Sequence, residues 1–237
     1  ALVLSAGLPA ASSAQISADR PGFGDGTATV APGTFQAGLG YAFNGNGINS
    51  HELGQLFLRY GVSDRIEVRG GVGSYELTSG ENGYNGTSIG TKVGLAQTDL
   101  WALSGVASLG LPTESGVFDT RDDRARQEVK LAFDGVLGES ITFSVNGGAS
   151  FFYSAGVQDD RAVEWLFIPT LSFGITEVTG AYVGYAGFYN EFVNRNWVEG
   201  GLTFLPNPDT QLDVNAGLRL DEASDGFFLG LGVARRF

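Results

Sequence analysis

The sequence contains no cysteine and no methionine, and it has a single histidine, His51. Without cysteine the chain can form neither a disulfide framework nor a thiolate zinc site, and it has no thiol nucleophile. Basic residues are also few, because 14 Lys and Arg stand against 26 Asp and Glu and give a net charge of −12. A nucleic-acid-binding protein needs a basic face to displace counterions from phosphate, so this class is excluded as well.

Catalytic patterns are missing too. Ser50 and Glu52 flank His51, but neighbours along a strand point to opposite faces, so these three residues do not form a triad. The stretch GTSIGTK at 86–92 has the wrong spacing for a phosphate-binding loop, and no helix is predicted after it. We therefore expect no enzyme, no metal and no cofactor, and we interpret His51 as an exposed loop residue.

The sequence is instead rich in glycine and aromatic residues, with 37 Gly, 17 Phe and 8 Tyr among 237 residues. A disordered chain would lack so many apolar side chains, and a packed soluble core rarely combines so much glycine with so many aromatics. The combination is typical of strands that face lipid on one side and a crowded lumen on the other.

Residues 1–14, ALVLSAGLPAASSA, have the pattern of a secretory signal remnant. The apolar stretch from Leu2 to Leu8 is followed by the small residues Ser12 and Ala14, which a signal peptidase needs before Gln15. A frayed apolar tail is the alternative. No segment approaches the about 18–20 apolar residues of a transmembrane helix. We therefore expect an exported protein, either a soluble periplasmic β-protein or a transmembrane β-barrel.

From residue 33 onward, apolar and polar residues alternate with a period of two, as in strands between two different environments. Each apolar face runs for about five alternating positions, the about 9–11 residues that a tilted strand needs to cross a bilayer. A soluble β-sandwich would show the same period over about five or six residues. Turn signals between the runs divide the chain into about twelve strands, although ten or fourteen also fit. The predicted strands are 33–43, 52–60, 65–75, 87–96, 100–111, 124–134, 141–153, 162–173, 179–189, 197–205, 210–220 and 226–237.

Short and long connections alternate between these strands. An even count then places both termini and the short turns on one side and the long loops on the other, as in bacterial outer-membrane barrels. We predict an all-β fold, a single transmembrane antiparallel up-and-down β-barrel over residues 33–237. The long loops hold the surplus of acidic residues and form a rim that divalent cations could bridge to lipopolysaccharide.

The polar face of the strands is predicted to line the lumen and to carry charges of both signs. The candidates for lumen-lining residues with a role in transport are Arg59, Arg65, Glu67, Arg69, Lys92, Arg124, Arg126, Glu128, Lys130, Glu164, Glu199, Asp213 and Arg219. A basic constriction would favour anions, whereas paired charges would only fill and stiffen the interior. The inward aromatics Phe57, Phe152, Tyr182, Phe188 and Trp197 could likewise form a path for apolar solutes or pack the lumen.

The chain ends in GFFLGLGVARRF, 226–237. Phe237, Val233 and Leu231 share one face, and this strand resembles the C-terminal signal by which the barrel-assembly machinery recognises its clients. Arg235 stands where that signal usually has an aromatic residue, and we expect it near the inner headgroups.

Several stretches, in a characteristic order, resemble one known family. They are ADRPGFGDG at 18–26, PGTFQAGLGY at 32–41, RYGVSDRIEVR at 59–69, LPT at 111–113, AYVGYAGFY at 181–189, NPDTQLDV at 207–214 and RF at 236–237. The family consists of transporter-like outer-membrane proteins named for the meta-pathway of phenol degradation. The resemblance implies an outer-membrane barrel that takes up small, often aromatic, compounds, and it carries over no binding residues.

Residues 15–32 precede the first strand and are polar and rich in turn residues. They could form a plug in the barrel mouth, with Asp19 and Arg20 paired to lumen charges, or hang in the periplasm, and we slightly favour the periplasmic placement. The expected function is passive uptake of small organic solutes, of aromatic or anionic character, across the bacterial outer membrane. The alternative is a closed structural or interaction barrel that acts through its acidic extracellular loops. The expected partners are outer-membrane lipids, lipopolysaccharide, the assembly machinery and the solute, with no nucleic acid.

Overall fold

The structure, a computed structural model, describes residues 15–45, 49–116, 118, 124–153, 161–221 and 226–237. The expected signal remnant 1–14 lies outside the described residues. The regular elements of the described parts are all strands. They are β1 Phe35–Gly45, β2 Ser50–Ser63, β3 Ile66–Val72, β4 Tyr75–Thr78, β5 Gly83–Tyr84, β6 Thr87–Gln97, β7 Trp101–Leu111, β8 Ser115–Gly116, β9 Arg126–Gly138, β10 Ile141–Tyr153, β11 Arg161–Gly174, β12 Thr179–Tyr189, β13 Asn194–Asn207, β14 Thr210–Arg219 and β15 Phe227–Arg236. No helix among the described residues is long and apolar enough to cross a membrane.

Twelve of these strands form a closed antiparallel barrel, which confirms the predicted fold class. Consecutive long strands pair with each other around the wall. The barrel closes where β1 pairs with β15, from Gln36 opposite Arg236 to Gly45 opposite Phe227. Closure leaves no open edge among the twelve long strands, a requirement for any sheet that lies in lipid.

The three short strands make a small extension of the wall at the long-loop end. β4 continues to pair with β2 after the interruption at Gly73 and Ser74, so the predicted strand 65–75 is two pieces. β5 pairs with β4, and β8 pairs with β5. Both lie in stretches that were predicted to be loops. The Ser74 N–H donates to the Asn85 side chain at 2.7 Å, which satisfies the backbone at this break.

The two faces of the wall differ as the period of two predicts. On β1 the side chains of Phe35, Leu39 and Tyr41 point outward, and Leu39 is 50% exposed, whereas the inward Gln36 is 4% exposed. Outward aromatics pair across strands, with the Trp101 and Phe133 rings stacked at 6.3 Å. An apolar outer band of this kind suits contact with lipid.

The outer surface also includes His51 and the C-terminal strand. His51 is exposed, as expected, but it lies on β2 rather than in a loop and is hydrogen-bonded through Nδ1 to the Tyr41 hydroxyl at 2.8 Å. Leu231 and Phe237 point outward and are exposed, and the Arg235 guanidinium lies 5.6 Å over the Phe237 ring.

A charge placed midway along the outer face should reduce the free energy of folding far more than a charge near a strand end. We expect Leu131→Arg, in the middle of β9, to reduce the free energy of folding into vesicles by about 2–4 kcal/mol. Leu137→Arg, on the same face of the same strand but close to its end, should cost about 0–1 kcal/mol. Urea titration of folding in lipid vesicles measures both values, and equal costs would contradict the placement of this face in lipid.

Candidate functional site in the barrel lumen

Residues 15–33, here called the N-terminal segment, run through the interior of the barrel. The Thr27 hydroxyl donates to Asp134 on β9 at 2.7 Å, and the Gln211 amide on β14 donates to the Arg20 carbonyl at 2.8 Å. These strands lie on different parts of the wall, so contacts with both require the segment to lie between them. The favoured periplasmic placement is therefore wrong, because the lumen supplies partners for the polar groups of the segment.

Both ends of the segment lie at the short-turn end of the barrel. The Ile16 N–H donates to the Pro208 carbonyl at 2.7 Å, and the Gly33 N–H donates to the Gly61 carbonyl at 2.8 Å. Between these anchors the chain rises into the lumen and turns back. The segment is thus a loop inserted from one side, and it is not threaded through the barrel.

One side of the segment faces four cations of the wall, Arg59 on β2, Arg69 on β3, Lys92 on β6 and Lys130 on β9, here called the basic strip. Asp19 accepts from Arg69 and, at 2.6 Å, from Lys92. Asp25 lies 2.9 Å from Arg69 and 2.5 Å from Lys130. Asp19 also lies 3.5 Å from the guanidinium of Arg59. The two carboxylates of the segment therefore pair with all four wall cations.

Glu67 completes this network from the wall itself. It is fully buried and accepts from Arg59 at 2.7 Å through Oε2, and its Oε1 lies 3.2 Å from Arg69. The Val30 N–H donates to the same carboxylate at 2.9 Å. Such close pairing is expected, because a buried charge without a partner costs several kcal/mol.

The opposite side of the segment meets carboxylates of the wall and offers them donors. The Arg20 guanidinium donates to Asp213 on β14 at 2.9 Å, and the Phe23 N–H donates to Glu199 on β13 at 3.0 Å. Arg20 fits because two inward positions beside it are glycines, and a Cβ at Gly40 or Gly232 would collide with its guanidinium. Glycine on the inner face thus provides the space that the segment occupies.

Phe23 forms the tip of the segment and packs into an aromatic cluster. Its ring lies 5.7 Å from Phe188, 5.7 Å from Phe228 and 6.1 Å from Trp197. Leu166, Ile168 and Ala186 form the buried apolar patch beneath this cluster. The inward placement of Phe188 and Trp197 agrees with the alternation of their strands.

Above the aromatic cluster, at the long-loop end, the lumen opens into a cavity of about 660 Å³, here called the vestibule. Arg126 and Arg195 share the carboxylate of Glu164 at 2.9 and 2.6 Å. Their side chains are 47% and 42% exposed, whereas Glu164 is 4% exposed. The vestibule therefore combines an aromatic floor with two accessible guanidinium groups that share one negative charge.

The family is decided by the sequence match. Residues 18–237 match the model of the MetA-pathway of phenol degradation family. The chain belongs to this family. No curated protein sequence matches the chain.

Solved structures with the same fold are outer-membrane barrels. An outer membrane channel from Pseudomonas putida F1 is 16% identical and has a TM-score of 0.71, over 92% of this chain and 100% of that one. The NanC porin is 7% identical, with a TM-score of 0.63 over 84% of this chain and 98% of that one. The KdgM porin in complex with disordered oligogalacturonate is 9% identical, with a TM-score of 0.59 over 84% and 99%. At these identities the likeness shows that this family member has the fold of outer-membrane channels and porins.

Most of the predicted lumen residues lie inside the barrel of this family member. Arg59, Glu67, Arg69, Lys92, Lys130, Glu164, Glu199 and Asp213 lie in the interior, and Arg126, Glu128 and Arg219 are more accessible. Two residues lie elsewhere because they are outside the strands, where alternation no longer fixes direction. Arg65 is exposed in the turn between β2 and β3, and Arg124 stacks at 3.6 Å on the outward ring of Tyr153.

Sequence reasoning missed Asp25 and Arg195. Asp25 precedes the strands, so their alternation could not place it, and Arg195 lies in a stretch that had been interpreted as a loop. Among the described residues, no group of three or more His, Asp or Glu side chains could hold a metal ion.

Removal of the charge of Glu67, the buried wall carboxylate that pairs with the basic strip, should destabilise the protein. In Glu67→Gln the guanidinium groups of Arg59 and Arg69 lose a charged partner, and we expect a loss of about 3 kcal/mol. Glu128→Gln is the matched control, because Glu128 is 29% exposed and water can replace it, and we expect a loss below about 1 kcal/mol. Urea unfolding of the refolded barrel measures both. Equal losses would show that the network does not depend on Glu67.

Proposed function

We propose that this protein is a channel of the bacterial outer membrane for passive diffusion of small solutes, and that the N-terminal segment closes it in the present conformation. The observation that carries the proposal is the loop-like insertion of residues 15–33, whose two ends are both held at the short-turn end. A loop inserted from one side can withdraw without threading through the barrel. The channel and porin folds of the structural neighbours support the same function.

The vestibule supports small organic solutes with an aromatic or anionic group. A flat apolar ring could stack on Phe188 and Trp197, and a carboxylate could accept hydrogen bonds from Arg126 and Arg195. The oligogalacturonate named with the KdgM porin belongs to that protein. For this chain it supports only the general idea that a barrel of this fold can bind a charged organic molecule.

The outer surface of the barrel would contact three further partners in the outer membrane. The outward face of Leu231, Val233 and Phe237 would be recognised by the barrel-assembly machinery. Lipids would contact the apolar band, and lipopolysaccharide would contact the long loops. We assign passive passage and no catalysis, because the exposed His51 has an aromatic partner on the outer face rather than a nucleophile in the lumen.

A closed structural or interaction barrel is the second candidate, and the filled lumen favours it. In that case the segment would remain in place, and the long loops would carry the function through their acidic residues. Of those residues, Glu81 is exposed. Asp119, Asp122, Asp123, Asp159, Asp160, Glu222 and Asp225 lie outside the described residues.

Deletion of residues 15–33 should distinguish these two functions. We expect the full chain to show rare openings in a planar bilayer and the deletion variant to conduct steadily, with at least tenfold greater mean current. Both proteins must first show the heat-shifted gel mobility of a folded barrel. A folded deletion variant that stays silent would support the closed barrel and contradict the channel.

Trp197 offers a direct probe of the vestibule. In the Trp101→Phe/Trp165→Phe background it is the sole tryptophan, and we expect benzoate to quench its fluorescence. Arg195→Gln should weaken benzoate binding about tenfold, since a charge-assisted hydrogen bond contributes about 1.5–3 kcal/mol. Benzyl alcohol is the matched uncharged ligand and should be insensitive to this substitution. Equal effects on both ligands would contradict a carboxylate site at Arg195.

A further inference from the structure

The basic strip is electrically balanced only while the N-terminal segment is in place. The wall supplies four cations here, and its own paired carboxylates are Glu67 and Glu128. Asp19 and Asp25 of the segment supply the remaining two negative charges. A lumen without the segment would therefore present a positively charged surface on β2, β3, β6 and β9.

The two segment carboxylates contact this surface in the way that a bound dicarboxylate would. One guanidinium, that of Arg69, donates to both of them, through Nη1 to Asp25 and through Nη2 to Asp19. Lys92 then contacts Asp19 at 2.6 Å, and Lys130 contacts Asp25 at 2.5 Å. Arg69 thus bridges two carboxylate positions, each of which has a lysine of its own.

A second observation places open space beside these cations. A cavity of about 210 Å³ adjoins Arg69 and Lys130, and its walls include Phe57 and Ser108. The Arg69 side chain is only 5% exposed, yet its Nε has no hydrogen-bond acceptor in the described part of the chain. One donor of this guanidinium is therefore left out of the ion pairs with Asp19 and Asp25.

We propose that the basic strip is a binding site for small dicarboxylates, which Asp19 and Asp25 occupy as tethered carboxylates of the protein itself. A free dicarboxylate first reaches Arg69 and Lys130 from the adjoining cavity and then replaces Asp25 and Asp19. Their displacement removes the ion pairs that hold this side of the segment. The binding site does not depend on the proposed channel function, whereas the opening of a pore by the ligand rests on it.

Competition with a tethered group predicts a particular order of affinities. A side chain on a short connection is present at its site at an effective concentration of about millimolar or higher. A free dicarboxylate must therefore bind the wild-type protein weakly. Removal of the two tethered charges should strengthen its binding, whereas removal of a wall cation should weaken it.

The test is calorimetric titration of the full refolded chain with succinate. We expect Asp19→Asn/Asp25→Asn to bind succinate at least tenfold more tightly than the wild type, and added Lys130→Gln to reverse this gain. Asp213→Asn is the matched control, because it loosens the segment at Arg20 and leaves both carboxylates on the basic strip. Because a looser tether lowers the effective concentration of Asp19 and Asp25, Asp213→Asn should raise succinate affinity, but clearly less than Asp19→Asn/Asp25→Asn does. Asp25→Asn alone is the milder variant if the double variant does not fold, and it should show a smaller gain.

Each result bears on the site. Equal succinate affinity in the wild type and the folded asparagine variants would overturn it, and so would an equal gain in Asp213→Asn, since that would reflect a loosened segment only. A gain in the variants without Asp25 that Lys130→Gln reverses would support it. Succinate binding by a barrel whose deletion variant stays silent would support the site and contradict the channel. If the deletion variant conducts but the asparagine variants bind succinate no more tightly than the wild type, the result would support the channel and contradict the site.

Discussion

Every charged side chain in the narrow lumen needs a partner of opposite charge or a hydrogen bond, and the structure depends on this constraint. The basic strip contains four cations, and the wall carboxylates that pair with them, Glu67 and Glu128, supply only two negative charges. Because an unpaired buried charge costs several kcal/mol, the segment is held where its two carboxylates meet these cations. Its Arg20 then meets Asp213 on the other side. The charges of the wall and those of the segment are therefore complementary.

The chemistry of this contact suits a segment that can be released. A buried ion pair contributes little net free energy compared with an apolar contact, because desolvation offsets most of the attraction. Phe23 makes the apolar contact, and its aromatic cluster lies directly beneath the vestibule. A solute in the vestibule would thus touch the same rings that hold the tip of the segment. The aromatic cluster that holds Phe23 is thus adjacent to the vestibule in which a solute would bind. This arrangement links solute binding at the long-loop end to closure of the lumen.

The fold could be predicted from the sequence because lipid and lumen impose a strict alternation on each strand. Phe35, Leu39 and Tyr41 face outward as expected, and the count of about twelve strands is confirmed. Alternation gives direction only within a strand, so Arg65 and Arg124, which lie in connections, are placed differently. The break at Gly73 and Ser74 follows from local hydrogen bonds that no periodic pattern records.

The placement of the segment could not be predicted in the same way. Its partners are far away in the sequence, since Thr27 and Asp134 are 107 residues apart, and its polar composition suits a lumen and water equally. One sequence feature is explained by the structure. Glycines occupy inward positions of neighbouring strands, at Gly40 and Gly232, where the Arg20 side chain lies.

A reversible cross-link between the segment and the wall tests the central claim most directly. The chain has no cysteine, so the variant Thr27→Cys/Asp134→Cys can form only one disulfide. In the present structure the Thr27 Oγ1 lies 2.7 Å from the Asp134 Oδ2. The measurement is the bilayer current of this variant before and after addition of a reductant. The account predicts that the cross-link forms, that the oxidised protein is silent and that reduction restores openings. Failure of the folded variant to cross-link, or equal current in both states, would contradict closure by the N-terminal segment.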